Sequence, residues 1–384
     1  MAITILASPS GEPSVQDDLW HVVESTNSAS PDMKYVFDVF VGGVQKVRVK
    51  QFPEPDNSKA YFDAGPVVRN TFTYQWFEPL NNVYCNEPNV SGEIAQTYQL
   101  RVGEEVSGVT TPNLASGNVT AYNWAAKMFK RRVADSTTLL NKWFTNRPLS
   151  ADLKTGENFF IGFKTNATLT FKVDTYDANN GLIATSVDAS GYTTANGYVQ
   201  CNVGTAAINA RFGSTVIGSN VKYYDVYFNS LDKFRINLVC DNRYSTVMLH
   251  FMNQWGMFDT ARFGLASRLT VDVERKEFTQ KDYRFASSSV TYYDSNNVYH
   301  DSKVNYLNKR DATYKLTMDY LTDAEWEWIE ELIYSPQVYM ELDGYYYPVT
   351  IKSNNIEISK YVNNRLRALE IEVSVNQTRY SQLR

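Results

Sequence analysis

Residues Lys34 to Lys50 read KYVFDVFVGGVQKVRVK, two runs of β-branched and aromatic residues separated by Gly42-Gly43. A glycine pair accepts positive φ at both turn positions without a Cβ clash, which is what a two-residue hairpin turn requires. The stretch predicts a β-hairpin. On its N-terminal side Ile3 to Leu6 and Leu19 to Val23 read as short apolar strands, the second followed by a polar loop of Ser, Thr, Asn, Ala and Pro. Short strands with regularly spaced turn signals predict an immunoglobulin-like or fibronectin-like β-sandwich over residues 1–80.

Beyond the turn-rich Pro79 to Pro88, alternation resumes at Ala95 to Val106 and opens a second β-rich domain over residues 90–250. Within Asn118 to Pro148, the residues Tyr122, Ala125, Ala126 and Phe129 have helix-like spacing and permit a short helical insertion. Thr168 to Val187 reads TLTFKVDTYDANNGLIATSV, and Asn179-Asn180-Gly181 between its alternating arms predicts a second hairpin. Lys222 to Phe228, Phe234 to Cys240 and Val247 to Phe251 follow as strands.

Residues 251–384 change character and predict an α+β domain. Thr322-Asp323-Ala324-Glu325 fits the capping box, so a helix is expected from Thr322 to about Tyr334. Trp328, Ile329, Leu332 and Ile333 form its apolar stripe, Glu327, Glu330 and Glu331 are expected to face water, and Pro336 stops it. The arms Val338 to Leu342, Tyr345 to Ile351, Ile356 to Val362 and Leu366 to Val375, with turns at Asp343-Gly344 and Asn363-Asn364, predict an antiparallel meander under that helix. The fold class expected is therefore mainly β, with one capped helix near the C-terminus.

Composition agrees. At roughly 100 to 200 residues per domain, 384 residues suggest two to four domains. Hydrophobic residues make up 43% and charged residues 21%, the profile of a folded chain, and 14% aromatics lean it toward strands. With 37 Lys plus Arg against 42 Asp plus Glu, the net charge of −5 gives no basic excess for a phosphate backbone, so nucleic acid is not an expected partner. No charged start precedes an apolar run near Met1, so no secretory signal is expected. The longest uncharged stretch, Ala189 to Ala210, is broken by glycines and amides, so no membrane span is expected and the chain reads as soluble. Asn89, Asn118, Asn166 and Asn376 begin glycosylation sequons that matter only to a secreted chain.

Chemistry is sparse. Cys85, Cys201 and Cys240 are odd in number and widely spaced, fitting small buried hydrophobes rather than a disulfide framework or a zinc site. His21, His250 and His300 share no ligand spacing, and no phosphate-cradling, nucleophile-elbow or kinase motif occurs. Asp174, Asp177 and Asn179 before Gly181 imitate a calcium loop, but Val187 stands where its bidentate Glu belongs. Asp17-Asp18 and Glu104-Glu105 are sequence neighbours, which a strand points to opposite faces, and so make poor catalytic pairs. No enzyme activity, cofactor or metal is expected. Lys127 to Arg132, KMFKRR, is read as a solvated face of a helix or, alternatively, a contact for a nucleic acid or an acidic partner surface.

Tyr345-Tyr346-Tyr347 opens a strand, and alternation puts Tyr346 opposite its neighbours, so at least one ring should be exposed unless another subunit covers it. Exposed aromatics anchor interfaces or stack on sugars. Three stretches resemble tail-associated virion proteins of phages infecting Bacteroidetes-type bacteria. They are Ser25-Thr26-Asn27 and Pro31 with KYVFDVFVGGVQKVRVKQFPEPD, Val247 to Glu274 with its NQWGMFDT segment, and Leu321 to Ile351, where a Trp-rich helix runs into Ser335-Pro336-Gln337-Val338-Tyr339.

The resemblance implies a non-enzymatic, oligomeric tail component, at the tip, baseplate or neck ring, whose partners are other virion proteins and copies of itself. Such a protein is found in the virion and assembles in the host bacterial cytoplasm. The alternative is a receptor-binding protein that takes a host-surface glycan. Within NQWGMFDT, Trp255, Met257, Phe258 and Asp259 read as a core turn or as a subunit contact. Candidate interface residues are thus Tyr345, Tyr346, Tyr347, Trp255 and Phe258, and the hairpin tips are expected to meet neighbours.

Overall fold

The computed structural model describes residues 3–73, 85–86, 90–110, 114–125, 142–165, 168–192, 198–228, 232–240, 243–286, 288–352, 367–376 and 379–380. The protein is mainly β, with several antiparallel sheets and few helices. It divides into two compact units. Unit 1 is Met1–Asp241, His250–Thr260 and Glu327–Pro336; unit 2 is Asn242–Leu249, Ala261–Trp326 and Gln337–Arg384.

Unit 1 contains the hairpin read first: Lys34–Val41 pairs antiparallel with Val44–Gln51, and Gly42 (φ 59°) and Gly43 (φ 78°) make the turn. Lys34–Val41 is a central strand, because Ala95–Val106 pairs with its other edge from Lys34 opposite Glu105 to Val41 opposite Tyr98. A strand expected beyond residue 90 thus completes a sheet begun before residue 80. Asp38, buried in the middle of that strand, is matched across the ladder by Arg48, whose Nε and Nη2 each donate to the carboxylate at 2.7 Å. A second sheet of Ile3–Ala7, Trp20–Ser25 and Lys59–Asp63 packs on the first, with Val23, Ala60 and Phe62 against Phe37, Val39 and Leu100. Phe37 and Phe62 stack at 4.8 Å, and the result is a β-sandwich.

The rest of unit 1 carries two more sheets. One joins Phe160–Lys164 to Tyr198–Asn202; the other runs Ser150–Leu153, Phe234–Leu238, Tyr223–Phe228, Leu169–Tyr176, Leu182–Tyr192, its first pair parallel. Phe163, Phe171 and Phe228 pack together, with Trp143 edge-on to Phe163 and Phe228. In the turn between Leu169–Tyr176 and Leu182–Tyr192, Asp177 Oδ1 accepts the amides of Asn179 and Gly181 at 2.8 Å each, and Asn180 has φ 64°. Asp177 is thus turn chemistry, whereas Asp174 lies buried in its strand, paired with Lys233 and accepting Thr185 Oγ1 at 2.7 Å. Cys201 is buried as expected of a small hydrophobe; Cys240 is not, being exposed beyond the end of the strand Phe234–Leu238.

In unit 2 the strands Val338–Leu342, Tyr345–Ile351, Arg367–Val375, Lys303–Leu321 and Arg268–Thr279 lie side by side in that order, all antiparallel. Asp343 (φ 52°) and Gly344 (φ 77°) form the first turn. The expected arm Ile356 to Val362 and the turn Asn363-Asn364 lie outside the described residues, as does KMFKRR. The helix is Asp323–Tyr334. Its capping box is formed: Glu325 Oε2 accepts the Thr322 amide at 2.9 Å, and the Glu325 amide donates to Thr322 Oγ1 at 3.4 Å. Trp328, Ile329 and Leu332 are buried, while Ile333 is only half-buried. The first turn of this helix belongs to unit 2, and from Glu327 onward it belongs to unit 1.

Candidate assembly surface

The most exposed regular element is a two-stranded arm that sequence reading did not isolate. Lys303–Leu321, a strand of 19 residues, pairs with Arg268–Thr279, of which all twelve residues are exposed. At about 3.3 Å per residue the longer strand spans roughly 60 Å. Directly opposed residues share a face. One face carries Leu269 opposite Tyr314 and Val271 opposite Ala312; the other carries Arg268 opposite Lys315, Thr270 opposite Thr313 and Asp272 opposite Asp311. Leu269, Val271 and Val273 are 47%, 40% and 43% exposed. A ribbon whose apolar face stays this exposed does not bury what its alternation prepares for burial.

Beyond Thr279 the arm ends in a small aromatic tip. Gln280 closes the ladder with its amide on the Ser302 carbonyl, and Arg284–Ala286 pairs with Ser289–Thr291. Asp294 Oδ1 accepts the amides of Asn296 (2.8 Å) and Val298 (3.0 Å), which shape the next turn and hold that carboxyl below its ordinary range. Phe285 and Tyr299 are exposed, and Tyr292 and Tyr293 stand half in solvent. Such rings have the size and rigidity of interface anchors.

Of the predicted interface residues, Tyr345 is 67% exposed, while Tyr346 and Tyr347 are half-buried. The Tyr345 and Tyr347 rings lie 6.4 Å apart, as residues two apart on one face should. Trp255 and Phe258 need correcting: both are buried in unit 1 and cannot anchor a partner. Trp255 packs edge-on to Trp124 at 5.4 Å, and Phe258 has its amide on Gln200 Oε1 and its carbonyl on Gln200 Nε2. The NQWGMFDT segment is a tight core turn. Asn253 Oδ1 accepts the amides of Trp255 and Met257, and Gly256 takes φ 73° with the Asn123 carbonyl 3.1 Å from where a Cβ would be.

Asp259, also in that segment, is a fully buried carboxyl. Its Oδ2 accepts Thr145 Oγ1 at 2.6 Å and Trp328 Nε1 at 2.9 Å, whereas Oδ1 has no hydrogen-bond partner among the described residues. Burial pushes its pKa up to about 6, against the two donors and the Arg147 guanidinium, which favour the charged form. Arg147 lies over the Trp328 ring at 4.4 Å and donates to the Thr260 carbonyl. Glu331, expected in water, instead accepts Asn146 Nδ2 at 2.6 Å and the Gln254 amide at 3.0 Å. It borders a cavity of about 610 Å³ that Glu327 and Glu330 also line. All three carboxylates stand on one helix, not on opposite walls as a glycosidase pair does.

Among the described residues no group of three His, Cys, Asp or Glu side chains is placed to hold a metal ion, and no helix is long and apolar enough to cross a membrane. No protein-family model matches the chain, and no match is found among curated proteins.

Proposed function

We propose that this protein is a non-enzymatic structural component of a phage virion, an oligomeric tail component at the tip, baseplate or neck ring, assembled in the host bacterial cytoplasm. The observation that carries the reading is the exposed arm, Arg268–Thr279 with Lys303–Leu321, ending in Phe285, Tyr292, Tyr293 and Tyr299. Exposed apolar area on this scale marks a surface made to be covered. With aromatics of about 150 to 250 Å² each, the arm offers on the order of 1,000 Å², enough for a standard interface. The resemblance of three stretches to tail-associated virion proteins supplies the setting, and the near-neutral charge supports protein partners over nucleic acid.

The test is incorporation. Particles made with a chain whose residues 280–302 are replaced by a short Gly-Ser turn should lack the protein, while the purified variant keeps the melting temperature of the parent. Normal incorporation of that variant would refute the reading.

The exposed rings of Phe285 (74%) and Tyr299 (72%) favour one second reading, glycan binding at the arm tip. It requires that Phe285→Ala and Tyr299→Ala abolish adsorption to host cells while leaving incorporation intact.

A further inference from the structure

We propose that two copies of this chain join edge to edge through the strand Arg268–Thr279, antiparallel, about a twofold axis at Thr270. This names the partner of the arm and rests on its reading as an assembly element.

Arg268–Thr279 is the last strand of its sheet: Lys303–Leu321 occupies one edge, and no described strand occupies the other. A free edge presents a row of unpaired N–H and C=O groups, which proteins ordinarily blunt with proline, an early bulge or a covering loop. Here RLTVDVERKEFT contains no proline, and its bulge lies at Lys276/Glu277, so the proximal half is regular and open.

The occupant follows from the side-chain pattern. Laid antiparallel on itself about Thr270, the segment Arg268-Leu269-Thr270-Val271-Asp272 sets Arg268 opposite Asp272, Leu269 opposite Val271 and Thr270 opposite its own copy. Opposite charges, apolar pairs and Thr–Thr are the favourable cross-strand combinations, and the twofold repeats each of them.

Among the described residues these charges are unanswered. Arg268 faces Lys315 and Asp272 faces Asp311, two like-charge pairs that disfavour the isolated ribbon. Lys315 is taken by an ion pair with Glu370, and Asp311 by Lys309 at 2.8 Å, which leaves Arg268 and Asp272 without an ion pair among the described residues. Moving the axis to Asp272 sets Arg268 against Lys276, and moving it to Val273 sets Asp272 against Glu274, both repulsive. An axis at Val271 pairs Arg268 with Glu274, but sets Asp272 opposite Thr270, where it would stay without a cation. Charge selects the Thr270 register.

The test is a charge swap in the full chain, read by sedimentation velocity up to roughly 100 μM. The parent chain should dimerise. Arg268→Asp and Asp272→Arg should each weaken the dimer about tenfold or more, since each makes two repulsive pairs, and the double variant R268D/D272R should return it to within about threefold of the parent. A monomeric parent, single variants that dimerise like it, or a double variant as weak as the singles would overturn the proposal. Recovery by R268D/E274R instead would overturn the register.

Incorporation into particles, measured on the same variants, separates the two claims. Chains that enter particles whatever their charge at 268 and 272 would leave the assembly reading standing without this contact. A parent chain that dimerises but is absent from particles would remove the assembly reading and leave the dimer.

Discussion

Trp328 donates its indole N–H to Asp259 across 2.9 Å, tying the helix Asp323–Tyr334 to the NQWGMFDT turn through a carboxyl that is itself buried. Thr145 donates to the same oxygen, so both donors stabilise the charged form, while burial opposes it and wins. The folded-state pKa of about 6 therefore lies above the ordinary Asp value of 3.8. The folded chain binds more protons than the unfolded one between those two values, so this group's contribution is fully present below the lower and lost as pH rises through the upper.

From this group alone stability should gain on the order of 1 kcal/mol as pH falls from 7 to 5, while the buried His21, whose pKa burial lowers to about 4, works in the opposite direction over the same range. Asp259→Asn should remove that gain, because an amide oxygen still accepts both donors and carries no charge. Denaturant melts of parent and variant at pH 5 and 7 measure it as the difference between the two chains, in which the His21 contribution cancels; a variant with the same slope as the parent would be inconsistent with a raised Asp259.

At the other end of this helix, Thr322 and Glu325 exchange their capping hydrogen bonds in the open. Thr322→Ala should lower stability by about 1 kcal/mol, the usual effect of losing an N-cap. Thr322→Ser should be nearly silent, because its hydroxyl reaches the same amide. Equal melts for parent and Thr322→Ala would place the helix start elsewhere.

Leu332 and Tyr345 separate folding from assembly. Leu332 is fully buried, so Leu332→Ala should lower stability by about 2 to 5 kcal/mol. Tyr345 is largely exposed and shares its face with Tyr347, so Tyr345→Ser should leave the thermal melt unchanged and reduce incorporation into particles. A Tyr345 variant that melts with the Leu332 variant would make that ring part of the core.

The parts of this fold visible in the sequence are those whose signal is local. Gly42-Gly43, Asn180-Gly181 and Asp343-Gly344 announce hairpins because few residues accept the turn's φ values, and Thr322 with Glu325 announces a helix start within four positions. What stays hidden depends on distant partners. Ala95–Val106 looks like the start of a new domain until Lys34–Val41 is seen beside it. Glu331 looks solvated until Asn146 and Gln254 arrive, from far along the chain.

Trp255 and Phe258 illustrate the ambiguity of aromatics, which serve cores and interfaces equally well; only burial distinguishes them, and here it assigns both to the core. The arm did leave a trace: Leu269, Val271 and Val273 alternate with charged or polar residues, answered by Ala312 and Tyr314. That trace is weak because charges interrupt it on one face and the bulge at Lys276/Glu277 breaks its phase.

Whether the arm is covered in the particle is read by amide hydrogen exchange over residues 268–321 in the free chain and in purified particles. The free edge should exchange quickly at Arg268–Thr279 in the isolated protein and slow by about tenfold or more in the particle, together with the tip around Phe285 and Tyr299. The same exchange rates in both states would contradict the proposed assembly role, leaving the arm exposed wherever the protein resides.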